Sequence, residues 1–411
     1  MRRWPLLHNH DYMLLWSGEI LSELGSQSSA VAYPLLILAL TGSATKAGVV
    51  GLAKWLPLAV CAIPAGALAD RVDRKRLMIA CDAIRMVGAA SIVAMLVISA
   101  PSYGQIIAVA FVDGVLFTTS YVCERGALRQ VVPAEQVQNA IARNEARSFA
   151  ASIAGPPLGG ALFAAARSLP FIADAASFLC SMTMISLTRS RFQAAPTAAP
   201  SVPRKIRSDI VDGFAWVWQH PFFRVTSLLF ALGNPIYTGL YLLAILLAKQ
   251  HGASAPTVGL MLAIVGVGGV FGALCAGTIR RVATARAIIL AEEWLLLALV
   301  LGLLLVRNAL LIGLLIAAAE FITPTVNSIV AGVRVAAAPD HLQGRVQAAA
   351  TMATMSLGWL GPLAVGVCFQ HGGPTTTILI LAGWTLIPAS IATLAPALRG
   401  DPPRPLPAIN A

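Results

Sequence analysis

Gly66-Ala67-Leu68-Ala69-Asp70-Arg71-Val72-Asp73-Arg74-Lys75-Arg76 decides how this chain is read. The stretch closes one apolar run, Ala47–Ala69, and opens the next, Leu77–Ser99, with Asp70 and Asp73 set among Arg71, Arg74, Lys75 and Arg76. A charged hinge between two such runs suits helices that leave and re-enter a bilayer of about 30 Å, which each cross with about 20 residues. The pattern returns at a constant offset of 206 residues, Gly66-Ala67-Leu68 as Gly272-Ala273-Leu274 and Arg74-Lys75 as Arg280-Arg281. Pro133 recurs as Pro339, Gly155-Pro156 as Gly361-Pro362 and Gly160 as Gly366. One register kept by separated motifs marks an internal duplication. The two halves then point the same way in the membrane, related by an axis along its normal.

Composition agrees. The 411 residues are 57% hydrophobic and 11% charged, with mean hydropathy +0.77, against about 45–50% and about 25% for soluble domains. That excludes a soluble enzyme, a nucleic-acid-binding domain and a disordered scaffold, despite a net charge of +11. The fold class expected is an all-α membrane protein with twelve transmembrane helices in two pseudo-symmetric six-helix bundles. The first six spans fall at Met13–Leu40, Ala47–Ala69, Leu77–Ser99, Ile106–Cys123, Ile141–Ala165 and Pro170–Thr188. The second six fall at Phe222–Ala248, Val258–Ile279, Ala287–Val306, Ala309–Val333, Val346–Phe369 and Thr375–Ala397.

Cations orient the chain. With a cytoplasmic amino terminus, only Lys46, Arg167, Lys249 and Arg307 of the 29 Lys and Arg lie on the far side, and Lys54 and Arg85 lie within spans. Both termini are therefore expected inside, and the first span does not read as a cleavable signal peptide. The domains are residues 1–188, a linker over 189–221, residues 222–398 and a tail over 399–411. Within the linker, Ala194–Pro203 is Pro/Ala-rich, and Ile206, Ile210, Phe214, Val217 and Trp218 form the stripe of an amphipathic helix on the cytoplasmic face, its Trp residues at headgroup level. The six cysteines lie singly on different spans and the histidines lack ligand spacing, so no metal site, cofactor or disulfide framework is indicated.

The Gly66–Arg76 stretch resembles the loop between the second and third helices of the major facilitator superfamily. Asp73, where many members have Gly, resembles the macrolide-efflux and enterobactin-exporter branch. Leu15-Trp16-Ser17-Gly18, Asp82 with Arg85, the segment Ile172–Phe178 and Gly344-Arg345-Val346 also fit, so the resemblance covers nearly the whole chain. It implies a conformational latch at Gly66, Asp70, Arg71 and Arg74. A carboxylate at Asp70 can accept bonds from a neighbouring helix N-terminus, and the repeat puts Asp340–Arg345 on the same side. Gly155-Pro156-Pro157-Leu158-Gly159-Gly160 resembles the superfamily's antiporter signature, with Ala151 where that signature usually has Gly. Its Pro residues favour a bend and its small residues close helix approach.

Ionisable groups inside a bilayer are costly, about 2.5–3.5 kcal/mol each at the centre of a helix, and are functional candidates. Glu19 and Glu23 share one face of the first span, four residues apart. Asp113 lies on a face with Phe117 and Tyr121, and Glu320 on one with Thr323 and Asn327, where Pro324 can bend the helix. In the superfamily, helices one, four, seven and ten line the central cavity; the seventh here offers Asn234, Tyr237 and Tyr241. Asp113 stands where many members have Arg, which leaves the cavity acidic and points to cationic or zwitterionic substrates. Asp82 with Arg85, and Glu292 with Glu293, are expected nearer the cytoplasmic ends, paired or snorkelling.

The reading is a secondary active transporter of the plasma (inner) membrane, acting as a monomer without a cofactor. It would export a small amphipathic compound (drug, siderophore or metabolite) by alternating access in exchange for protons. Uptake, or translocation of a lipid such as a lysophospholipid, is the alternative. No GxxxxGK[ST] loop is present for direct use of ATP. A receptor lacks a sizeable extramembrane domain, and an intramembrane enzyme lacks a Ser/His constellation or paired metal spacing.

Overall fold

The computed structural model describes residues 5–193, 206–339 and 342–399. The Ala194–Pro203 linker, Asp340 of the expected latch and nearly all of the 399–411 tail lie outside the described residues. Among the described residues the secondary structure is helical throughout. The helices are α1 (His10–Thr41), α2 (Ala44–Val60), α3 (Ala62–Arg71), α4 (Arg74–Val97), α5 (Tyr103–Val131), α6 (Val137–Ala165), α7 (Leu169–Leu187) and α8 (Ile206–Gln219). There follow α9 (Pro221–Gln250), α10 (Ala255–Val282), α11 (Ala285–Gly302), α12 (Ala309–Glu320), α13 (Thr323–Ala337), α14 (Gln343–Met355) and α15 (Leu360–Leu394).

Short polar side chains set the helix starts. Asn9, Ser43, Asp73, Ser102, Ser254, Thr284 and Asn308 each accept a hydrogen bond from a first-turn backbone N–H, which satisfies donors that the helix itself leaves free. Asp73 of the decisive stretch is thus the N-cap of α4, bonded to the Arg76 N–H at 2.9 Å.

Nine helices among the described residues are long and apolar enough to cross a membrane, or ten if α2 and α3, bent by 60° about Cys61, count as one. The expected ninth span, α11, is not among them, and Arg345–Leu394 counts as one run of 50 residues where two spans were expected. Three expected spans are, besides, not single rods. The second is divided at Cys61 between Pro57 and Pro64, and the tenth at Phe321–Ile322, just before Pro324. Each break lies where proline removes a backbone donor. The eleventh is interrupted between α14 and α15, and α15 itself turns at Gly373, whose φ of 74° favours a residue without Cβ. The fourth is longer than expected, Val131 rather than Cys123 being its last residue.

α1 packs on α6 and α7, α4 on α5 and α7, and α2 on α5. In the second part, α15 packs on α9 and α11, and α10 on α12 and α13. The two groups join along α6–α10 and α2–α15. A Cβ on Gly160 would run into the Ala255 carbonyl, and one on Gly366 would come 2.5 Å from the Ala44 carbonyl. Backbones touch there, and Gln370 Oε1 accepts from the Ala44 N–H at 2.8 Å. These seams lie at the end away from α8. The helix α6 runs unbroken through Pro156 and Pro157. In this state the Gly155–Gly160 segment therefore serves close packing, with Gly159 against the Ser28 carbonyl of α1 and Gly160 against α10.

The helix α8 expected in the linker is present and is docked on the bundle. It packs on α14 and α9, and Arg345 Nη1 pairs with Asp212 Oδ2 at 3.1 Å. Trp216, 9% exposed, stacks on His220 at 4.1 Å and packs tilted against Phe223 at 5.1 Å. Trp218 is 56% exposed and is the one available to headgroups.

Candidate functional site

The interior of the first helix group, α1–α7, carries a column of charge. At its middle, Arg85 Nε of α4 donates to Asp113 Oδ1 of α5 at 2.8 Å, and Lys54 Nζ of α2 lies 3.5 Å from Asp113 Oδ2. Arg85 Nη2 also donates to the Ser26 hydroxyl of α1 at 3.0 Å, and that hydroxyl in turn lies 3.5 Å from Asp174 Oδ1 of α7. The Arg85 guanidinium stacks 4.2 Å over Phe178. Arg85, Asp113 and Asp174 are all buried.

The α8 end of the column is built around Arg147 of α6. Its Nη1 and Nη2 grip the two Glu124 oxygens at 2.9 and 3.2 Å, and its Nε donates to Glu23 Oε2 at 3.2 Å. Asn144 Nδ2 adds a bond to Glu124 at 3.0 Å. A bidentate guanidinium–carboxylate pair is the strongest arrangement open to these groups. Glu19, Ser22, Glu23 and Ser26 lie at helical spacing on one face of α1, and with Asp82, Glu124 and Arg147 they line a small cavity of about 70 Å³. Asp82 Oδ2 is buried there without a hydrogen-bond partner among the described residues.

The candidates expected from sequence are thus partly assembled. Glu19 and Glu23 share one cavity, and Asp113 adjoins it through Arg85. Tyr121 lines the same cavity, stacked on Phe117 and covered by Arg125 at 4.5 Å. A second cavity of about 140 Å³, between α1, α2, α9 and α15, is lined by Gln27, Tyr33, Lys54, Trp55, Thr238 and Tyr241 among others. It lies at the junction of the two helix groups and touches the column at Lys54. Asn234 donates to the Thr354 carbonyl at 2.9 Å, and Tyr237 bonds to Thr323 at 3.0 Å across the break after Glu320. Asn327 is exposed and does not join them.

Several expectations are revised by this geometry. Asp113 does not stand alone to make the cavity acidic, because Arg85 and Lys54 flank it. Arg85 bonds to Asp113 and Ser26, not to Asp82 in its own helix. Glu292 and Glu293 are 8% and 7% exposed, so neither snorkels to an aqueous edge. Arg147, counted among the cytoplasmic cations, is buried at 5% exposure inside α6. Glu124 was missed altogether, because the apolar run stops at Cys123 while the helix continues. Its signal was present: Asp113, Tyr121 and Glu124 are spaced by near-multiples of a helical turn.

At the α8 end, Asp70 is two-thirds exposed and pairs with Arg74 Nη2 of its own loop at 3.1 Å, while its backbone carbonyl accepts from Gln193. A Cβ on Gly66 would meet nothing within 4 Å.

An all-helical bundle of this shape is the architecture of the major facilitator transporters. Over 95% of the chain it superposes on a bacterial homologue of the human lysosomal transporter Spinster, solved inward-facing and unoccupied, with TM-score 0.72, 15% identity and 96% of that chain covered. A bacterial homologue of the iron transporter ferroportin, also inward-facing, matches with TM-score 0.70 at 15% identity, covering 94% of this chain and 98% of that one. By its sequence over residues 2–401 the chain belongs to the transmembrane secretion effector family of the major facilitator superfamily; it is a multi-pass membrane transporter. It is similar to the multidrug efflux pump Tap of Mycolicibacterium fortuitum, 26% identical over 408 residues, 97% of each chain. The Tap pump of Mycobacterium tuberculosis (strain ATCC 25618 / H37Rv) is 27% identical over 412 residues, covering 94% of this chain and 93% of that one.

Proposed function

We propose that this transporter exports small amphipathic compounds (drugs, siderophores or metabolites) across the plasma membrane in exchange for protons. It acts as a monomer with both termini cytoplasmic. The observation that carries the reading is the buried charge column from Lys54 to Glu124, which begins at the cavity between the two helix groups and contains more carboxylates than cations. The four carboxylates lining the small cavity, Glu19, Glu23, Asp82 and Glu124, outnumber its two cations, Arg85 and Arg147, and Glu19, Glu23 and Asp82 are offered as places to load and release a proton. The similarity to Tap along almost the whole length supports drugs as substrates and export as the direction.

The chain crosses twelve times in this reading. The bent α2–α3 and α12–α13 are each one span, the turn at Gly373 separates the last two, and α11 crosses despite Arg286, Glu292 and Glu293. Residues 1–188 and 222–398 rock about the central cavity, with the 189–221 linker tying them on the cytoplasmic side. Closed seams away from α8, together with the exposed Asp70, fit a state open to the cytoplasm. When that mouth closes, Asp70 meets the start of the eleventh span and acts with Gly66, Arg71 and Arg74 as the latch.

The test is accumulation of cationic dyes, antibiotics and siderophores in expressing and non-expressing cells, with and without a proton uncoupler. Expression is expected to lower accumulation, and the uncoupler to abolish the difference. The replacements Glu19→Gln, Glu23→Gln, Asp113→Asn and Glu320→Gln are then assayed singly under an imposed pH gradient. Four fully active variants reject proton coupling by these groups, and higher accumulation in expressing cells rejects export.

A further inference from the structure

The small cavity at the α8 end of the charge column is lined by four carboxylates and two guanidinium groups. Both guanidiniums are committed elsewhere. Arg147 holds Glu124 and Glu23, and Arg85 holds Asp113 and the Ser26 hydroxyl. Glu19 of α1 and Asp82 of α4 remain. Neither makes an ion pair among the described residues, and Asp82 is one of the charges that face Glu19. Charges inside a protein are paired or coordinate a metal ion.

Unbonded oxygens mark the same place. Asp82 and Ser120 line the cavity at 3% and 8% exposure, and Asp82 Oδ2 and Ser120 Oγ have no hydrogen-bond partner among the described residues. The Ser181 hydroxyl of α7, beside Asp82, is likewise buried and unbonded. Orphaned oxygens next to carboxylates without a cation are the ligands that a hard metal ion takes. Size selects the same kind of occupant. The cavity holds about 70 Å³, far below the roughly 300–1,000 Å³ of a drug-sized ligand. With about 30 Å³ for each water, it fits one ion and a water or two. Divalent sites usually gather several carboxylates around one point, and among the described residues no group of three or more His, Cys, Asp or Glu is placed to hold a metal ion. Two carboxylates with hydroxyls suit a monovalent ion.

We infer that this cavity binds a sodium ion between Glu19 and Asp82, with the Ser120 hydroxyl and water completing its shell. Sodium then shares with the proton the carboxylates of the exchange reading. Binding itself stands apart from that reading; only the use of the ion to drive export rests on it.

The experiment measures binding of radiolabelled sodium to the full chain in phosphatidylcholine nanodiscs, in choline chloride buffer. Saturable binding is expected, displaced by unlabelled sodium chloride and not by added choline chloride. Asp82→Asn and Glu19→Gln should each weaken it about tenfold, the scale of one charged ligand. Ser120→Ala should weaken it about threefold, and keeps the test valid where a carboxylate variant does not fold. Glu292→Gln, in the other helix group, should leave binding unchanged. Sodium should also raise the apparent melting temperature of the unmodified chain and not that of Asp82→Asn. Absence of saturable binding, meaning that the cavity holds water only, overturns the inference. Binding that all three cavity variants leave intact overturns it too, as does displacement of sodium by equimolar calcium or magnesium but not by sodium itself. Uncoupler-sensitive export without sodium binding rejects the site alone. Sodium binding without export rejects the export reading alone.

Discussion

Replacing Arg147 by Met withdraws one guanidinium from three helices at once. Arg147 projects from α6, grips Glu124 of α5 through two bonds of 2.9 and 3.2 Å, and reaches Glu23 of α1 at 3.2 Å. Methionine keeps much of the apolar stem, so little packing is lost. The cost comes from the carboxylates left behind, since breaking a buried ion pair by removing one partner costs about 3–5 kcal/mol. Relaxation and water entry around the bared carboxylates relieve part of this, which places the expected loss near the lower end, ~3 kcal/mol. A chain of this length shifts by about 2 °C or less per kcal/mol, so the apparent melting temperature should fall by about 5 °C. The assay is fluorescence-detected size exclusion of the purified protein after stepwise heating. Adding Glu124→Gln to Arg147→Met should recover ~1–2 kcal/mol, within the range of coupling between contacting residues, because Asn144 can still donate to the new amide oxygen. The reasoning fails if Arg147→Met melts with the unmodified protein, or if the second substitution makes the first worse by its own full cost.

Asp70→Asn keeps the size of the side chain and removes the charge that a helix N-terminus would attract. Transport is expected to drop to background while membrane insertion and melting temperature are retained; undiminished export would show that Asp70 is no latch. The α8 docking gives a paired comparison. Trp216→Ala empties a buried site against His220 and Phe223 and should cost about 3–5 kcal/mol, whereas exposed Trp218→Ala should stay within about 0.5 kcal/mol. Equal effects on thermal melting would mean that α8 is held at the membrane surface and not by α14.

What the sequence revealed followed from how far each signal extends along the chain. Apolar runs and the 206-residue repeat are written over tens of residues, and they led to the helical membrane bundle; the family followed from the resemblance carried by the Gly66–Arg76 stretch. Proline positions likewise foretold the break beside Glu320. The candidate site was half legible, because periodicity places a residue on a face without saying which face of another helix meets it. Glu19 and Glu23 were found by their spacing on one helix. Their partner Arg147 lies 124 residues from Glu23, and counting it as an orienting cation hid its burial. Arg85 was expected to pair with nearby Asp82 or to snorkel, yet α4 turns Arg85 toward α5, where Asp113 waits. An Asp at position 113 in place of the superfamily's Arg therefore does not by itself predict an acidic pocket. With Arg supplied from the third span and Asp from the fourth, the ion pair is present, and Lys54 of the second span adds a further cation beside it.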